Sequence, residues 1–361
     1  MAIEVEAVLK RPCAIFLAGE IIEIQIIVKN VAPRRTGTEQ IAWGSVQLTC
    51  ERTLGAATQT RERPSFSISK SASNVYSSVP SILFCDVYLS AGESKIFNAK
   101  IPLPKDLVPP TFRGHFVKYL NRIAIAVQHV QMPIKMVHLP VRILPSIGLE
   151  RRVSSYENPF SIEAAVKPTV SEIATSLVDE ATMPKRNLVV LLTNAENKVA
   201  LLTMSKKTFR LGEDIFGHLD FSEATTKTVQ YSVSLETLEV LNDETKENDE
   251  SKEWEQKVGT TVLTTAFTPE SSFRVSIPLS ANATFETDKV KFKWILRFVF
   301  VVSDFEYRIE QENGSTFSAA PKELEESDTF SWSTEIFVYS SSPQNASLLD
   351  TVHTNSVKFV V

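Results

Sequence analysis

The side chains that could carry chemistry in this 361-residue chain are its histidines, its cysteines and a few basic residues. The histidines and cysteines show no metal-ligand spacing with one another. They are His115, His129, His138, His218, His353, Cys13, Cys50 and Cys85. The sequence also lacks the glycine-rich loops that bind nucleotide phosphates and the Gly-x-Ser-x-Gly turn of hydrolases. We therefore predict no catalytic residue, no metal site and no cofactor.

Three basic residues are the candidates for a binding site, namely Arg113, Lys118 and Arg122. Their positive charges could contact a phosphate group or an acidic partner. Lys118 and Arg122 alternate with apolar residues, which is also the pattern of the wet face of a β-strand. We favour a solvated strand face for them and keep anion binding as the alternative.

The remaining reactive side chains have simpler interpretations. His129 and His138 lie in strand-like runs, so we predict surface positions or hydrogen-bonded positions within strands. Cys85 follows Ile-Leu-Phe in the sequence, which predicts a small core residue rather than a nucleophile. Three cysteines form no even disulfide framework, and the alternating start lacks the apolar core of a signal peptide. These features predict a reduced, cytoplasmic protein without a transmembrane helix.

The charge is unevenly distributed along the chain. The formal net charge is −5, so a nucleic-acid partner is not expected. Residues 1–150 carry 17 Lys and Arg against 11 Asp and Glu, a net charge of +6, which leaves −11 for the remainder. These charges are either solvated faces or a basic half that faces an anionic membrane or an acidic partner.

Three short motifs occur twice in the same order. "FLAGE" at Phe16 matches "FRLGE" at Phe209, and "TFRGHFVKYL" at 111–120 matches "TFETDKVKFK" at 284–293. Between them, "ESKIFNAKIPL" from Glu93 matches "ESSFRVSIPL" from Glu270, with Ile-Pro-Leu displaced by 176 residues. The displacement falls from 193 at the first match to 173 at the last. This order predicts an internal duplication whose first copy has an insertion within 52–80.

The matched segments alternate between apolar and polar residues, as β-strands with one buried face do. Val290, Phe292 and Trp294 alternate with two lysines, and Tyr119 is the counterpart of Phe292. Two such sheets packed face to face form a sandwich. Asn121 stands where the second copy has Trp294, and we interpret it as a bulge or an open end of the sandwich.

The duplication predicts an all-β chain with two tandem β-sandwich domains, 1–147 and 188–361. The segment 148–187 between them contains Ser and Glu but little strand pattern, and is predicted to be a linker. Within it, "SEIATSLVDEA" predicts a short amphipathic helix capped by Ser171. The charged stretch 242–257 predicts a mobile acidic loop in the second domain.

The two sandwiches and their motifs resemble the arrestin architecture, and more closely the Rgp family of retrograde Golgi transport proteins, which are arrestin-like. The resemblance spans nearly the whole chain. It is carried by "FLAGE" 16–20, "ILFCD" 82–86, "GESK" 92–95, "FRGHFVKY" 112–119, "FRLGEDIFGHLDFS" 209–222 and "VQYSVSLE" 229–236.

The resemblance implies a non-catalytic subunit of a complex that exchanges guanine nucleotide on a Golgi Rab GTPase of the Rab-six class. The implied partners are a large Ric-type subunit containing β-propellers and the Rab itself, with peripheral association with Golgi membranes in endosome-to-Golgi retrograde transport. Two alternatives remain open: an arrestin-like cargo adaptor that recruits a ubiquitin ligase, and a retromer-type coat subunit. The chain has no Pro-Pro-x-Tyr motif, which the adaptors typically carry.

Overall fold

The computed structural model describes twelve ranges of the chain. They are 3–32, 37–55, 72–130, 132–146, 169–194, 197–242, 252–266, 268–303, 308–312, 314–319, 327–347 and 355–361. Parts of three predicted segments lie outside them: 56–71 of the insertion, 148–168 of the linker and 243–251 of the acidic loop.

The described residues before the linker form ten strands. In chain order these are β1 Ile3–Leu9, β2 Ile15–Leu17, β3 Ile21–Asn30, β4 Glu39–Leu54, β5 Ala72–Ser77, β6 Ser81–Leu89, β7 Ser94–Pro102, β8 Phe112–Arg113, β9 Val117–His129 and β10 Lys135–Leu144. A strand such as β1 alternates strictly between fully buried and partly exposed residues, because successive side chains point to opposite sides of the sheet.

The described residues from 169 onward form two helices and thirteen strands. In chain order these are α1 Val170–Thr182, β11 Leu188–Asn194, β12 Asn197–Met204, β13 Thr208–Arg210, β14 Asp214–Asp220, β15 Thr228–Leu241, β16 Lys252–Thr264, β17 Glu270–Ser276, β18 Phe285–Glu286, β19 Val290–Val302, β20 Arg308–Glu312, β21 Ser315–Ala319, β22 Asp328–Tyr339, α2 Pro343–Ser347 and β23 Ser356–Val360. Neither described helix is long and apolar enough to span a bilayer.

The first sandwich packs a four-stranded sheet, in the order β23-β1-β3-β7, on a seven-stranded sheet. The larger sheet has the order β2-β10-β9-β4-β5, with β6 also paired to β4 and β8 to β9. Ile3 and Val5 from the first sheet and Ile123 and Ile125 from the second are fully buried in one apolar cluster. The two sheets therefore enclose a common core.

The second sandwich repeats this arrangement with the orders β11-β12-β14-β17 and β13-β22-β19-β15-β16, and β18 pairs with β19. Phe273 of β17 meets Phe298 of β19 edge to face, with ring centroids 5.3 Å apart. The hydroxyl of Tyr231 lies 2.9 Å from that of Ser271. These contacts join the two sheets, and the prediction of an all-β fold with two β-sandwiches is confirmed.

The chain divides into two compact units. They comprise Met1–Leu177 with Thr287–Val290 and Ser340–Val361, and Val178–Glu286 with Lys291–Tyr339. The two sandwiches can be compared strand by strand. The positions of β12, β14, β17 and β19 in the second sandwich are those of β1, β3, β7 and β9 in the first. The strand order thus agrees with the predicted duplication.

The first Gly-Glu motif is a tight turn between β2 and β3. Gly19 has φ of +96°, a conformation that residues with a Cβ rarely adopt. The Glu20 carboxylate accepts a hydrogen bond of 2.8 Å from the backbone N–H of Leu17. Arg11 donates two hydrogen bonds, of 2.9 and 2.8 Å, to the same carboxylate and lies over the ring of Phe16. The nearly buried charge of Glu20 is therefore paired and hydrogen-bonded.

The second copy builds the same turn with partly different residues. Gly212 has φ of +86°, and the Glu213 carboxylate accepts a hydrogen bond of 2.8 Å from the N–H of Arg210. Lys206 replaces the arginine: its ammonium group donates to Glu213 at 2.9 Å and lies over the ring of Phe209. The motif is thus retained because the backbone turn requires both glycine and a carboxylate.

The sequence match of the middle motif, "ESKIFNAKIPL" with "ESSFRVSIPL", differs from the structural alignment of the two copies by two residues at its isoleucine. The sheet pairs Ile22 with Ile101 in the first sandwich and Ile215 with Val275 in the second. Since Ile22 and Ile215 are counterparts, Ile101 corresponds to Val275 and not, as the sequence match has it, to Ile277. Two residues is the repeat of a strand, so the misaligned copies keep the same apolar alternation.

Of the two interpretations given for Asn121, a bulge or an open end of the sandwich, the bulge is wrong. Asn121 pairs regularly with the strands on both sides and is buried. Its side-chain amide donates hydrogen bonds of 3.0 Å to the Pro109 carbonyl and the Thr111 hydroxyl, which offset the cost of burying it. Trp294, its counterpart, donates from Nε1 to the Asn282 carbonyl at 3.0 Å. Asn282 corresponds to Pro109, so two different side chains donate a hydrogen bond to equivalent backbone carbonyls in the two copies.

The predicted linker helix is present as α1, but its cap is Thr169 and not Ser171. The N–H of Thr169 donates to the Glu172 carboxylate at 2.8 Å, and the Thr169 hydroxyl accepts from the Glu172 N–H at 3.2 Å. This reciprocal pair is a capping box. Ala174 of α1 is buried in a small apolar cluster of the first unit.

Two segments differ from the predicted domain plan. Ser356–Val360, which the plan gave to the second domain, forms β23 and pairs antiparallel with β1 of the first sandwich. Residues 252–257, predicted as part of the acidic loop, belong to β16 and pair with β15. Their side chains are exposed on both faces, so they lack the apolar alternation by which a strand is recognised in the sequence.

Candidate functional site

Two of the three basic candidates lie side by side. Arg113 on β8 is directly opposite Lys118 on β9, and both side chains are exposed. Within the described ranges neither forms an ion pair. Like charges directly opposite across a sheet repel each other, and a bound anion would relieve that repulsion. The pair could therefore contact a phosphate or a carboxylate.

Arg122, the third basic candidate, already forms an ion pair within the sheet. Arg122, four residues further along β9, forms an ion pair with Glu51 on β4. Its carbonyl also accepts a hydrogen bond of 3.3 Å from the hydroxyl of Thr49. The structure thus brings Arg113 and Lys118 together and leaves Arg122 in a separate ion pair on the sheet.

The histidines have neighbours typical of strand residues. His129 lies 2.9 Å from the Glu39 carboxylate and 2.9 Å from the Val130 carbonyl, and His218 lies 3.2 Å from the Ser272 hydroxyl. His353 is outside the described residues. In the part of the chain that the structure describes, His, Cys, Asp and Glu form no group of three that could hold a metal ion.

The cysteines differ in their environment. Cys50 is buried, and burial raises the pKa of its thiol to about 12, so it stays protonated. Cys85 is exposed, and the prediction that it lies in the core is wrong. Phe84 takes the inward position next to it and packs on Phe97, with ring centroids 4.5 Å apart, so Cys85 must point outward.

A surface that the sequence analysis missed lies on the outer side of the four-stranded sheet of the second sandwich. Val189 and Leu191 on β11, Leu201 on β12 and Phe216 on β14 are 57%, 47%, 36% and 57% exposed. Leu191 and Leu201 are directly opposite each other. We call these four residues the apolar sheet face. Val189, Leu191 and Leu201 are neighbours, whereas Thr203 and His218 lie between them and Phe216. Grouped exposed apolar residues typically mark a binding surface.

Polar groups border the apolar sheet face. Arg274 on β17 is opposite Phe216, holds its guanidinium 5.7 Å from the ring centroid, and donates to Asp214 at 2.6 Å. Asp220 is opposite both Leu201 and Glu270, so two carboxylates lie next to the apolar residues. Hydrogen bonds from Ser222 lower the pKa of Asp220, which is therefore ionised at neutral pH.

The sequence contained a signal for this face. β11 reads Leu-Val-Val-Leu-Leu, and β12 contains Val-Ala-Leu-Leu. An antiparallel strand with one wet face should alternate, so an unbroken apolar run indicates that both faces are apolar. The surface can bury apolar side chains of a partner and bind cations through its carboxylates, but it has no arrangement suited to covalent chemistry.

The sequence matches a protein-family model and two named relatives. The Rgp1 family model matches residues 14–157 and 150–303. The chain is 30% identical to the human protein named RAB6A-GEF complex partner protein 2, over 96% of each chain. It is also 30% identical to the cattle protein of that name, over 91% of this chain and 92% of the relative.

Proposed function

The chain belongs to the Rgp1 family, and on that premise we propose that it is a subunit of a guanine-nucleotide exchange complex for a Rab GTPase. The observation that carries the proposal is similarity over nearly the full length of relatives whose name describes them as partner proteins in a RAB6A exchange complex. Similarity of that extent includes both sandwiches, so the assembly role belongs to the whole chain.

The proposed role is non-catalytic and depends on a partner. Nucleotide exchange needs no covalent step: a complex that prefers the nucleotide-free GTPase weakens the hold on GDP, and GTP then enters by mass action. Broad sheet faces, such as the apolar sheet face, suit protein assembly. The chain would complete a complex with a large Ric-type subunit that contains β-propellers.

The proposed site of action is the cytoplasmic surface of the Golgi, where the complex would be peripherally bound. There it would activate a Rab of the Rab-six class in endosome-to-Golgi retrograde transport. Arg113 and Lys118 are the proposed contacts for an anionic headgroup or an acidic partner, since their charges are adjacent and exposed.

Release of a labelled GDP analogue from the Rab tests this function. The release rate would be measured with this chain alone, with the large subunit alone, and with both at equal concentration. Strong acceleration only by the mixture is the expected result. Full acceleration by this chain alone would contradict the non-catalytic role, and no acceleration in any mixture would favour a cargo adaptor or a coat subunit.

A further inference from the structure

The duplicated fold allows the basic pair of the candidate site to be compared with its counterpart. The β8–β9 hairpin of the first sandwich corresponds to the β18–β19 hairpin of the second, and in both a buried aromatic pair fixes the register. Next to that aromatic pair, Arg113 is opposite Lys118 in the first copy, and Glu286 is opposite Lys291 in the second. The two cross-strand pairs are therefore equivalent.

The equivalent pairs differ in charge. Glu286 and Lys291 form an ion pair of 3.0 Å, so the second copy neutralises its own lysine. The first copy retains the lysine, as Lys118, but has the guanidinium of Arg113 in place of the carboxylate. Like charges directly opposite each other destabilise a hairpin, and the second copy shows that the fold accepts a neutral pair here. The fold itself therefore does not require the second cation.

The neighbouring outward positions repeat this difference. Lys293, the next outward residue of β19, forms an ion pair of 2.7 Å with Glu335 on β22. Their counterparts on β9 and β10 are Leu120 and Pro140, as the equivalent strand registers show. The second copy thus balances both lysines of β19 with a glutamate, and the first copy has neither glutamate.

The strands around Arg113 and Lys118 contain no acidic residue. Residues 107–149, which include all of β8, β9 and β10, have no Asp or Glu but five basic residues, namely Arg113, Lys118, Arg122, Lys135 and Arg142. The two carboxylates that the adjacent β4 contributes are already paired with Arg122 and His129. On these four strands, all of which the structure describes, no carboxylate compensates the charges of Arg113 and Lys118.

We propose that Arg113 and Lys118 bind the phosphomonoester headgroup of an anionic lipid, so that the β8–β9 hairpin contacts the membrane. The inference rests on the proposed peripheral membrane association and assigns a binding site to it. A phosphomonoester carries a charge of about −1.5 to −2 at neutral pH, and its terminal oxygens can accept hydrogen bonds from both side chains. It therefore matches the doubly positive pair better than a carboxylate, which carries a single charge.

The distribution of charge favours a lipid surface over a phosphorylated peptide as the source of the phosphate. Arg122 and Arg142 lie on the same outer side of the sheet as Lys118, because buried residues alternate with them along β9 and β10. A bilayer presents many negative charges in one plane, and each Lys or Arg near its surface adds to the attraction. The net charge of +6 on residues 1–150 acts in the same direction. A peptide with one phosphate would engage only the adjacent pair.

The second copy suggests the variant that tests the site. Arg113→Glu introduces the residue of the equivalent position, Glu286, which pairs with a lysine in its own hairpin, so we expect the variant to fold. Arg186→Glu is the matched control, because Arg186 is exposed, lies outside the strands and undergoes the same change of charge. Lys118→Glu, with Lys185→Glu as its control, repeats the comparison for the other member of the pair. Thermal unfolding of each full-length variant would verify the fold.

Binding would be measured by sedimentation of the full-length chain with lipid vesicles. Three compositions are compared: phosphatidylcholine alone, with phosphatidylserine, and with a phosphatidylinositol monophosphate, the last two matched in total charge. We expect wild-type protein to bind the vesicles with the phosphatidylinositol monophosphate most tightly. The Kd for these vesicles should rise at least about tenfold in Arg113→Glu and Lys118→Glu, and stay within about twofold in the two controls.

Three results would overturn the inference. Unchanged vesicle binding in Arg113→Glu and Lys118→Glu would show that the pair does not contact the headgroup. Equal binding to the two anionic vesicle types, with an equal loss in both variants, would show attraction by charge alone and no site for a phosphomonoester. A phosphoserine peptide that binds wild-type protein more tightly than the vesicles do, and loses binding in Arg113→Glu, would make a peptide the source of the phosphate.

The exchange assay separates this inference from the proposed function. If the mixture with the large subunit accelerates GDP release but wild-type protein does not bind the vesicles with the phosphatidylinositol monophosphate, the inference fails while the exchange function stands. If wild-type protein binds these vesicles with the expected losses in the variants, but no mixture accelerates GDP release, the lipid site stands while the exchange function fails.

Discussion

The two sandwiches share strand order and turn chemistry but place different residues at equivalent positions of their outer faces. The four-stranded sheet of the first sandwich carries ion pairs, such as Glu23 with Lys10 and Lys100. The corresponding sheet of the second carries the apolar sheet face. Neither face is uniform, because Arg274 pairs with Asp214 on the second sheet, and Ile21 and Ile96 are each 55% exposed on the first. A duplicated fold therefore constrains what its core and turns require, and leaves the outside free to diverge.

The cores also differ in composition at equivalent positions. Ile125 and Val127 of β9 correspond to Phe298 and Phe300 of β19, and all four are fully buried. Phe300 stacks on Tyr231, with ring centroids 6.0 Å apart, while the first core is mainly aliphatic. The same strand positions thus enclose larger rings in the second copy, which implies that its core depends more on each individual side chain.

The largest expected effect comes from that aromatic core. Phe298→Ala should lower the free energy of unfolding by about 3–5 kcal/mol, because it removes a fully buried ring. Ile125→Val, at the equivalent position, should cost about 0.5–1.5 kcal/mol. Urea unfolding followed by circular dichroism measures both. An equal cost for the two would show that the ring of Phe298 is not packed in the core.

Next in size is the buried ion pair of the second sandwich. Glu236 is 6% exposed and accepts hydrogen bonds of 2.7 Å from both Arg297 and Ser234. Glu236→Gln should cost about 1–3 kcal/mol at pH 7, because Arg297 loses the more buried of its two charged partners, the other being Glu255. Glu51→Gln, in the more exposed pair with Arg122, should cost about 0–1 kcal/mol.

The same pair predicts a pH dependence. Burial by itself would raise the pKa of Glu236, but the hydrogen bonds from Arg297 and Ser234 lower it below the ordinary value. A carboxylate with a lowered folded pKa stabilises the protein above the unfolded pKa, about 4.3, and this contribution is lost as the pH falls through the folded pKa. The stability difference between wild type and Glu236→Gln should therefore shrink in acid, and a difference that is constant with pH would contradict the assignment.

Replacing the glycine of the Gly-Glu turn should lower the free energy of unfolding by the same amount in both copies. Gly19→Ala and Gly212→Ala should each cost about 1–2 kcal/mol, because both residues have positive φ. Gly37→Ala is the control, since a Cβ there meets no atom within 4 Å and its φ is not positive; its effect should stay within about 0.5 kcal/mol. Thermal unfolding measures the three. A marked difference between Gly19 and Gly212 would break the equivalence of the turns.

The smallest effect is expected on the apolar sheet face. Phe216→Glu should change the free energy of unfolding by less than about 0.5 kcal/mol, because the ring is exposed and the new carboxylate can pair with Arg274. Chemical denaturation measures the change. A large destabilisation would mean that the ring supports the fold, and would weaken its interpretation as part of a binding surface.

Local patterns in the sequence were sufficient for much of the fold. Strand phase was correct at Tyr119 and Phe292, because both are buried as the alternation requires. The Gly-Glu turns could be found because they demand particular residues at fixed spacing. The capping box Thr169-x-x-Glu172 was equally visible, and Ser171 was the wrong choice because it has no glutamate three residues later.

Non-local features were out of reach of such patterns. β23 pairs with β1, hundreds of residues away, and no local pattern specifies that partner. Cys85 was misplaced because a short apolar run does not reveal which of its residues points inward. For the same reason the unbroken runs around Leu191 and Leu201 do not reveal which of their residues are exposed, and the prediction gave Arg113, Lys118 and Arg122 as the only binding candidates.

The pairing of β23 with β1 has a consequence for synthesis on the ribosome. β1 leaves the exit tunnel early, but the strand that completes its edge is made about 350 residues later. At about 5–20 residues per second, that is a delay on the order of 20–70 seconds. During that time β1 exposes an unpaired edge that can join the strand of another chain. We therefore expect nascent chains stalled before Ser356 to be aggregation-prone and to depend on chaperones, whereas released chains are not.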